Sequence, residues 1–435
     1  MINSMNISNP WWRDEAISRE LSPSFKRRAF KELAELSKLR PITMISGLRR
    51  VGKSTLLYQM IEHLLREGVD AKKILYFSFD EKVDEITDIL SVYKDNTGVD
   101  WGRDKCFVFL DEIQKLKDWS NKLKLLYDSK PNMKFIVTGS SSFKLENEAM
   151  KNLAGRYFDL FIKPLDFDEY LEMKGSKIDL GRPELWKEDI KNEFKNYLLH
   201  VYPEIIGYQD MSLIKKYIKE TVIDRILKDD IERFKDVNRD LLETLVDTFY
   251  GSPGIYLNYD SMSSDLKVSK KTLIKHVLYL ESSYIIRIIK NFRPGTMNIS
   301  KKLQRVYPYH FSLMFGWTGT MNLETEVTSF LDAKYYWRHL DKEIDVLIID
   351  EKKKMTPIEI KEGLRVNRED MRHLIYFANK FKTNVPVFVY RGDSGRYKVG
   401  SLAIDIIPEW KLLTGVSERS HELGGTAQTH RQRKL

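Results

Sequence analysis

Residues 47–55, GLRRVGKST, combine glycine, lysine and hydroxyl residues in the spacing of a loop that wraps a phosphate chain. The glycines let successive backbone N–H groups point at the phosphates, and the N-terminus of a following helix adds positive potential. In this pattern Lys53 neutralises the terminal phosphates and Ser54 places its hydroxyl on Mg²⁺. The pattern therefore predicts that the chain binds a nucleoside triphosphate. The alternative is a strand–turn–helix linker that happens to contain glycines.

A second chemical group stands at the end of the apolar run CFVFL, where Asp111 and Glu112 follow each other. Unpaired carboxylates are costly at the end of a buried strand, so a nearby cation is expected. We assign Asp111 to Mg²⁺ and Glu112 to the base that polarises the attacking water, which together with the loop predicts nucleotide hydrolysis. The alternative is that both acids only cap the strand at the surface.

Two further positions complete this predicted site. Thr138 ends the apolar run FIVT, ahead of Ser140 and Ser141, and a polar side chain there can sense the γ-phosphate or hold the water. Arg156, in the turn LAGR, is a candidate arginine finger that acts in cis or from a neighbouring subunit. The predicted catalytic residues are Lys53, Glu112 and Arg156. The predicted nucleotide-binding residues are Gly47, Leu48, Arg49, Arg50, Val51, Gly52, Lys53, Ser54, Thr55 and Thr138.

Residues 342–363, KEIDVLIIDEKKKMTPIEIKEG, contain the acid, spacer and acid-x-lysine pattern that many metal-dependent nucleases use. Asp345 and Glu359 lie on the two strands of a predicted hairpin, and Lys361 shares a face with Glu359 because the two are two residues apart. Two carboxylates can hold Mg²⁺ against a scissile phosphate while the lysine stabilises charge or orients water. Glu324 or Glu326, on the preceding helix, would complete the metal ligands, and either Asp345 or its neighbour Glu343 would face the lysine. A charged hairpin, or a degenerate nuclease fold used for docking, fits the same residues.

Positive charge is concentrated between residues 261 and 310, which hold ten basic and two acidic residues in a chain of net charge +9. Within this stretch VSKKTLIKHVLYLES is an amphipathic helix with Ser269 as its N-cap, and Lys270, Lys271 and Lys275 lie off its apolar face. A helix, a turn, a basic helix and a hairpin wing are the layout of a winged helix-turn-helix. Because the basic residues of this helix are lysines, we expect it to bind DNA mainly through the phosphates. A protein–protein module is the alternative.

The elements that must position these groups alternate regularly in the first part of the chain. Apolar strands at 42–46, 74–79, 105–112 and 134–140 are separated by amphipathic helices, which is typical of a doubly wound parallel sheet. Further helices are predicted at 24–39 and 368–381. The predicted domains are an N-terminal helical extension (1–40), a P-loop core (41–165), a helical lid (166–249), a winged-helix domain (250–320), a nuclease-like α/β domain (321–412) and a disordered tail (413–435).

These motifs, in this order, resemble an AAA-like P-loop ATPase family that is abundant in archaea and bacteria. The matching stretches are GLRRVGKST, FVFLDEIQ, FIVTGSSS, LAGR and PLDFDEYL. The resemblance implies an AAA-like parallel sheet with a helical lid, a winged helix-turn-helix and a C-terminal α/β domain of the PD-(D/E)xK, restriction-endonuclease-like type. It also implies ATP and Mg²⁺ as cofactors, ATP hydrolysis and a role linked to DNA. Family members usually carry Gly-Gly-x-Pro in the lid, whereas this chain reads His200-Val-Tyr-Pro203, which puts a nucleotide-sensing role of that turn in doubt.

Composition limits the remaining choices. The chain has 435 residues, 42% of them hydrophobic, as expected for a globular protein of two or three domains. No run approaches the ~18 apolar residues of a membrane span, and no secretory signal is visible. The single Cys106 suits a reducing compartment, so we expect a cytoplasmic protein without a membrane partner.

Two functions remain open from the sequence. The first is an ATPase coupled to DNA binding, with metal-dependent nuclease activity in the C-terminal domain undecided. The second is an ATP-dependent regulatory switch that acts on a protein partner and carries an inactive, nuclease-like docking domain. A homo-oligomer is compatible with both functions.

Overall fold

The computed structural model describes residues 2–139, 151–231, 234, 236–293 and 300–415. Ser140 and Ser141 lie outside the described residues, as does the predicted tail beyond residue 415. The chain divides into two compact units. The first comprises residues 1–165 with 202–204, and the second comprises residues 166–201 with 205–435.

The first unit is built on a five-stranded sheet of parallel strands in the order β2-β3-β4-β1-β5. Its strands are β1 (Ile42–Gly47), β2 (Ile74–Ser78), β3 (Cys106–Asp111), β4 (Met133–Thr138) and β5 (Tyr157–Ile162). Every residue of β1, β3 and β4 is buried, which explains why these strands read as continuous apolar runs. The predicted parallel α/β sheet is confirmed, and its four predicted strands lie within two residues of the expected limits.

Six helices of the first unit are described around this sheet. They are α1 (Ile2–Ser8), α2 (Trp11–Asp14), α3 (Ala29–Ser37), α4 (Lys53–Arg66), α5 (Ile86–Thr97) and α6 (Trp119–Ser129). The N-terminal segment is tied to β2, because Trp11 and Trp12 both donate from Nε1 to the carbonyl oxygen of Ile74. α3 begins five residues later than predicted. The segment before it is fixed by Arg27, which is buried and donates to the carbonyl oxygen of Val51 at 2.7 Å.

The second unit begins with helices, in agreement with the helical pattern of residues 166–249. These helices are α7 (Phe167–Lys174), α8 (Lys187–Tyr197), α9 (Met211–Tyr217) and α10 (Arg239–Gly251). Two π-helical stretches, Ile218–Ile223 and Ile226–Ile231, follow α9. Asp166 and Glu169 form a capping box at the start of α7, with the Glu169 backbone N–H donating to Asp166 at 2.9 Å.

The middle of the second unit has the element order helix, strand, helix, helix, strand, strand. After α10 come β6 (Ile255–Tyr256), α11 (Tyr259–Asp265), α12 (Lys270–Ser282), β7 (Ile286–Asn291) and β8 (Ser300–Pro308). We call α12 the basic helix. Its residues Leu273, Val277 and Leu280 are fully buried, and Ser269 accepts from the Thr272 backbone N–H at 3.1 Å, as the spacing predicts. α10 packs against the basic helix and β8, so this segment starts before the predicted boundary at residue 250.

A five-stranded sheet in the order β10-β9-β7-β8-β6 crosses the predicted boundary between residues 320 and 321. β9 (Tyr335–His339) and β10 (Lys342–Ile344) come from the C-terminal part of the chain. Main-chain hydrogen bonds join β7 to β9, from Lys290 to Lys334 at 3.0 Å and from Phe292 to Tyr336 at 2.9 Å. The segments predicted as two separate domains therefore share one sheet.

A third sheet has the order β11-β12-β13-β15-β14. Its strands are β11 (Val346–Ile349), β12 (Met355–Lys361), β13 (Val387–Tyr390), β14 (Gly395–Val399) and β15 (Leu402–Pro408). The remaining helices are α13 (Phe311–Thr318), α14 (Leu323–Phe330), α15 (Arg372–Lys380) and α16 (Glu409–Leu413). The first strand of the predicted hairpin is interrupted at Asp345, so that β10 and β11 belong to different sheets.

Candidate functional site

The phosphate loop, residues 47–54, lies between β1 and α4 at the edge where the parallel strands of the first sheet end. Gly47 has a φ of 151°, and a Cβ atom there would lie 2.2 Å from the carbonyl oxygen of Ile162, so glycine alone fits. Lys53 is buried, and its Nζ donates to the carbonyl oxygens of Leu48 at 2.9 Å and of Gly47 at 3.3 Å. The ammonium group is thus held inside the loop that would surround the phosphates.

Three hydroxyl groups converge on the carboxylate of Asp111 at the end of β3. Ser54 Oγ donates to Oδ2 at 2.7 Å, the Tyr76 hydroxyl donates to the same oxygen at 3.0 Å, and Thr138 Oγ1 donates to Oδ1. Burial raises the pKa of Asp111 and the Glu112 carboxylate raises it further, whereas the three hydroxyl donors lower it. This oxygen-rich group beside the phosphate loop fits Mg²⁺, which prefers oxygen ligands. Ser54 and Asp111 are the residues that would hold the ion.

Glu112, the predicted base, follows Asp111 with a left-handed φ of 54°. Its backbone N–H donates to Thr138 Oγ1 at 3.1 Å, and its carboxylate accepts from Gln114 Nε2 at 2.5 Å. Glu112 therefore stands next to the metal-binding carboxylate, and Gln114 fixes its orientation.

Arg156 does not join this group. It precedes β5, and its carbonyl oxygen accepts from the Ile42 backbone N–H at 2.9 Å, at the edge where the parallel strands begin. The phosphate loop lies at the other end of β1, about 17 Å away at ~3.3 Å per residue. The guanidinium binds both carboxylate oxygens of Asp128, at 2.8 and 3.1 Å, and this contact lowers the pKa of Asp128. This placement does not support a finger acting in cis, and a role toward a neighbouring subunit stays a prediction.

The acidic residues of the second unit gather around an arginine that precedes them in the chain. Arg305 Nη2 lies 3.0 Å from Glu324 Oε1, and Nη1 lies 2.9 Å from Glu343 Oε1 and 3.7 Å from Asp345 Oδ1. Only 12% of the Arg305 side chain is exposed. Burial by itself would lower the pKa of Arg305, but Tyr307 and the carboxylates raise it on balance, so the guanidinium stays charged. We call these four charged residues the Arg305 cluster.

Glu359 and Lys361 both lie on β12 but have different surroundings, and His373 Nδ1 lies 4.0 Å from Glu359 Oε1. Asp345 is placed beside β12, because its Oδ2 accepts from the Ile360 backbone N–H at 2.9 Å. Burial, and then the Asp345 carboxylate, raise the pKa of Glu359 well above its usual value. Its Oε2 atom is buried without a hydrogen-bond partner among the described residues. Lys361 forms an ion pair with Asp370, a residue outside the predicted acid-x-lysine set.

The predicted metal ligands Glu324, Asp345 and Glu359 therefore do not fit a metal ion in this arrangement. Within the part of the chain that the structure describes, no group of three or more His, Cys, Asp or Glu residues could hold one. The positive charge in this region comes mainly from Arg305, and Arg338 adds to it, with its Nη1 atom 3.5 Å from Glu343 Oε2.

The predicted DNA-binding lysines differ in their surroundings. Lys270 pairs with Asp260 at 2.7 Å and Lys275 with Asp236 at 3.5 Å, while the side chain of each stays at least 40% exposed. Lys271 is exposed. The arginines of β7 and β8, both counted in the positive stretch 261–310, are largely buried in ion pairs. The surface charge of this segment is therefore smaller than the sequence suggests.

Sequence reasoning missed three residues of these sites. Tyr76 and Gln114 act on Asp111 and Glu112, and Gln114 lies in the stretch FVFLDEIQ, two residues after the base. The spacing of two residues between Glu112 and Gln114 in the sequence is a pattern from which this contact could have been predicted. Arg305 belongs to the positive stretch 261–310, and no local pattern distinguishes it from the lysines of that stretch.

Comparison with known families divides the chain into three parts. Residues 39–171 match the family described as AAA domain. Residues 191–317 match a domain of unknown function (DUF8612), and residues 327–410 match another (DUF4143). The family match agrees with the parallel sheet and the phosphate loop, and residues 39–171 therefore form an AAA-type P-loop domain. No helix among the described residues is long and apolar enough to cross a membrane.

Three curated relatives of this chain are uncharacterized proteins. One from Methanocaldococcus jannaschii is 30% identical over 290 residues, which cover 61% of this chain and 59% of the relative. Another from the same organism is 25% identical over 406 residues, 85% of this chain and 87% of the relative. A Haemophilus influenzae protein is 26% identical over 265 residues, 58% of this chain and 62% of the relative. The chain thus spans less than two thirds of the first and third relatives.

Solved structures give weaker likenesses. The Thermotoga maritima RuvB Holliday junction branch migration motor matches with a TM-score of 0.26 and 14% identity, over 67% of this chain and 96% of that one. A DNA replication initiation factor matches with a TM-score of 0.25 and 17% identity, over 51% and 68%. TM-scores this low do not establish a shared overall fold.

Proposed function

We propose that this protein is a Mg²⁺-dependent, cytoplasmic ATPase whose nucleotide state controls the binding of DNA. The observation that carries the ATPase assignment is the buried carboxylate of Asp111, 2.7 Å from the phosphate-loop hydroxyl of Ser54. A strand-end carboxylate and a loop hydroxyl at this distance are suited to bind one Mg²⁺ ion together.

The residues around this pair have complementary roles in the proposed hydrolysis. Lys53 binds the β- and γ-phosphate oxygens, and Thr138 holds Asp111 and the Glu112 backbone in position. Glu112 orients a water molecule and accepts its proton while the water attacks the γ-phosphorus and the bond to ADP breaks. Mg²⁺, when bound, neutralises negative charge on the phosphates. Arg156 is assigned to a neighbouring subunit's site, which requires a homo-oligomer.

Replacing Glu112 with glutamine tests this assignment. Glu112→Gln should keep ATP affinity within a few-fold and lower turnover by roughly 10²–10⁴-fold, as expected for loss of a general base. Glu67→Gln, at an exposed position of the same unit, is the matched control. Fluorescent-nucleotide binding and phosphate release measure the two quantities. Unchanged turnover in Glu112→Gln would remove the base assignment.

The DNA-binding part of the proposal is supported by the exposed face of the basic helix. The order α10, β6, α11, α12, β7, β8 is the order of a winged helix-turn-helix, and the basic helix would contact phosphates. A Lys271→Ala variant should weaken DNA binding uniformly across sequences and reduce the salt dependence by about one unit of slope. Lys82→Ala, an exposed lysine of the first unit, is the control. Equal salt slopes in wild type and Lys271→Ala would contradict DNA contact by this helix.

A second candidate function is an ATP-dependent switch that acts on a protein partner, with the nuclease-like domain as a docking module. The ion pairs of Lys270 with Asp260 and of Lys275 with Asp236 favour it, because these lysines have less charge available for DNA. DNA cleavage is not included in either function, because two of the three predicted nuclease ligands, Glu324 and Asp345, contact Arg305. Absence of salt-dependent DNA binding by the full chain would favour the switch.

A further inference from the structure

We propose that Arg305 takes the place of a metal ion in the acidic centre of the second unit, so that the chain itself supplies the cation that holds this centre together. The inference goes beyond the proposed ATPase and DNA-binding function and does not rest on it. It concerns the Arg305 cluster and the neighbouring Glu359.

The contacts of Arg305 connect parts of the chain that are distant in sequence. Glu324 lies on α14, Glu343 on β10, and Asp345 at the break between β10 and β11. Arg305 reaches all three carboxylates from β8, at separations of 2.9–3.7 Å. The planar guanidinium spreads its positive charge over both Nη atoms, which lets one residue contact carboxylates on several elements. Nη1 makes its two contacts as ion pairs, without hydrogen-bond geometry to any described residue. A metal ion bound by the same carboxylates would have the same organising effect.

The surroundings of Arg305 are shaped for a guanidinium. Its Nε donates to the carbonyl oxygen of Gly254 at 2.9 Å, and the rings of Tyr256, Tyr307 and Tyr336 lie with their centroids 5.4–5.9 Å from the guanidinium carbon. Gly254 has a φ of 84°, and a Cβ atom at that position would lie 2.7 Å from Arg305 Nη2. The backbone, the rings and the missing side chain at position 254 therefore leave room for an arginine head group at this point.

The charge balance explains why this region would attract a divalent cation without Arg305. Glu324, Glu343, Asp345 and Glu359 bring four carboxyl groups to one region. Arg305 compensates part of this charge, and the more exposed Arg338 lies 3.5 Å from Glu343 alone. The buried Oε2 atom of Glu359 has no hydrogen-bond partner among the described residues. Buried carboxylates without a compensating cation are strongly unfavourable. Removal of Arg305 would leave carboxylates with uncompensated charge. Mg²⁺ or Mn²⁺, which prefer oxygen ligands, would be favoured to take its place once these side chains rearrange around the ion.

Binding of Mn²⁺ to the nucleotide-free full chain, followed by electron paramagnetic resonance of the free ion, tests the proposal. The four proteins are wild type, Asp345→Asn, Arg305→Met, and the double variant. The phosphate loop is unchanged in all of them, so any ion bound there cancels in the comparison. We expect wild type and Asp345→Asn to bind the same number of ions, Arg305→Met to bind one more, and the double variant to lose it again.

Two results would overturn the proposal. One is the loss of a bound ion in Asp345→Asn relative to wild type, which would show that a metal already uses this carboxylate beside Arg305. The other is a folded Arg305→Met variant that binds no additional ion. Thermal unfolding gives a second measurement. Arg305→Met should unfold roughly 10 °C below wild type, and Mn²⁺ should recover part of this loss.

If Arg305→Met does not fold, two comparisons still decide the question. Wild type against Asp345→Asn needs no change at Arg305, and equal ion counts support the proposal. Arg305→Lys keeps the positive charge and should bind no additional ion. An additional ion in Arg305→Lys would contradict the idea that the charge of this side chain replaces the metal.

Discussion

Replacing Tyr76 with phenylalanine removes one of the three hydroxyl donors to Asp111, together with a hydroxyl–hydroxyl hydrogen bond to Tyr58. Tyr76 is 5% exposed, and its ring packs on Tyr58 with the centroids 4.8 Å apart, a contact that phenylalanine retains. The lost hydrogen bond has a carboxylate as its acceptor, at 3.0 Å. Hydrogen bonds to charged groups contribute about 1.5–3 kcal/mol to stability, compared with about 0.5–1.5 kcal/mol for neutral pairs.

Tyr93→Phe in the same unit is the matched control. The Tyr93 hydroxyl donates to the carbonyl oxygen of Lys72 at 2.6 Å, so its acceptor is neutral, and Tyr93 is also buried. At pH 8 we expect the free energy of unfolding of the first unit to fall by about 2 kcal/mol in Tyr76→Phe and by about 1 kcal/mol in Tyr93→Phe. For a unit of this size these values correspond to melting temperatures lower by roughly 4–8 °C and 2–4 °C.

The assay is thermal unfolding of the full chain with and without Mg²⁺ and ADP, because the transition that nucleotide shifts belongs to the phosphate-loop unit. Since burial raises the pKa of Asp111, the folded state keeps its proton to higher pH than the unfolded chain. The stability of this unit should therefore fall as the pH rises through the window that starts near pH 4. At lower pH Asp111 is protonated, so the acceptor of the Tyr76 hydrogen bond is no longer charged. The difference between the two variants should grow as the pH rises through the raised pKa of Asp111. A difference that stays constant over the whole pH range in which the unit is folded would refute this reasoning.

Three further changes test other contacts. Gly47→Ala places a Cβ atom 2.2 Å from a backbone oxygen of β5 and should abolish ATP binding. Gly68→Ala is the control, because its Cβ atom would meet no atom within 4 Å, and it should retain ATP binding. Fluorescent-nucleotide titration distinguishes the two variants. Arg156→Ala should preserve ATP affinity and lower turnover roughly 10³-fold at protein concentrations that allow assembly, and unchanged turnover would remove the finger assignment. Glu204→Gln breaks a half-exposed ion pair with Arg50 of the phosphate loop, whose atoms lie 3.0 Å apart. Because such pairs are weak, the ATP affinity should change by less than about 5-fold, and the difference should disappear in high salt.

The phosphate site could be predicted from the sequence because its parts follow from local rules. The loop residues are contiguous, and Asp111 and Thr138 each end a short apolar run. Since the ends of parallel strands meet at one edge of a sheet, a prediction of the strands also predicted the meeting of these side chains. Tyr76 lies inside a strand, two residues before its end. Its hydroxyl reaches Asp111 only because of the register between β2 and β3, which composition does not specify.

The acidic centre of the second unit could be predicted only in part, because its cation comes from another segment. The sequence indicated that Asp345 and Glu359 lie on neighbouring strands, and the hydrogen bond from Ile360 agrees with this. Lys361 was expected beside Glu359 from the two-residue period, but Asp370 on the following 3₁₀ turn provides a closer partner. Counting charges along residues 261–310 could not distinguish Arg305 from the exposed lysines, because burial depends on contacts with residues further along the chain.

The sheet β10-β9-β7-β8-β6 and the Arg305 cluster connect the basic helix to the C-terminal strands, and this connection limits how ATP could act on them. Leaving a buried charge without its partner costs about 3–5 kcal/mol, whereas coupling between sites in regulated proteins is typically about 1–3 kcal/mol. Changes of nucleotide state are therefore too weak to withdraw Arg305, and we expect β8 and β10 to stay joined throughout the ATPase cycle. Hydrogen exchange of both strands should be equally slow with ATP, with ADP and without nucleotide. Faster exchange of β8 alone in one of these states would show that the cluster opens, and that ATP separates the basic helix from the C-terminal domain.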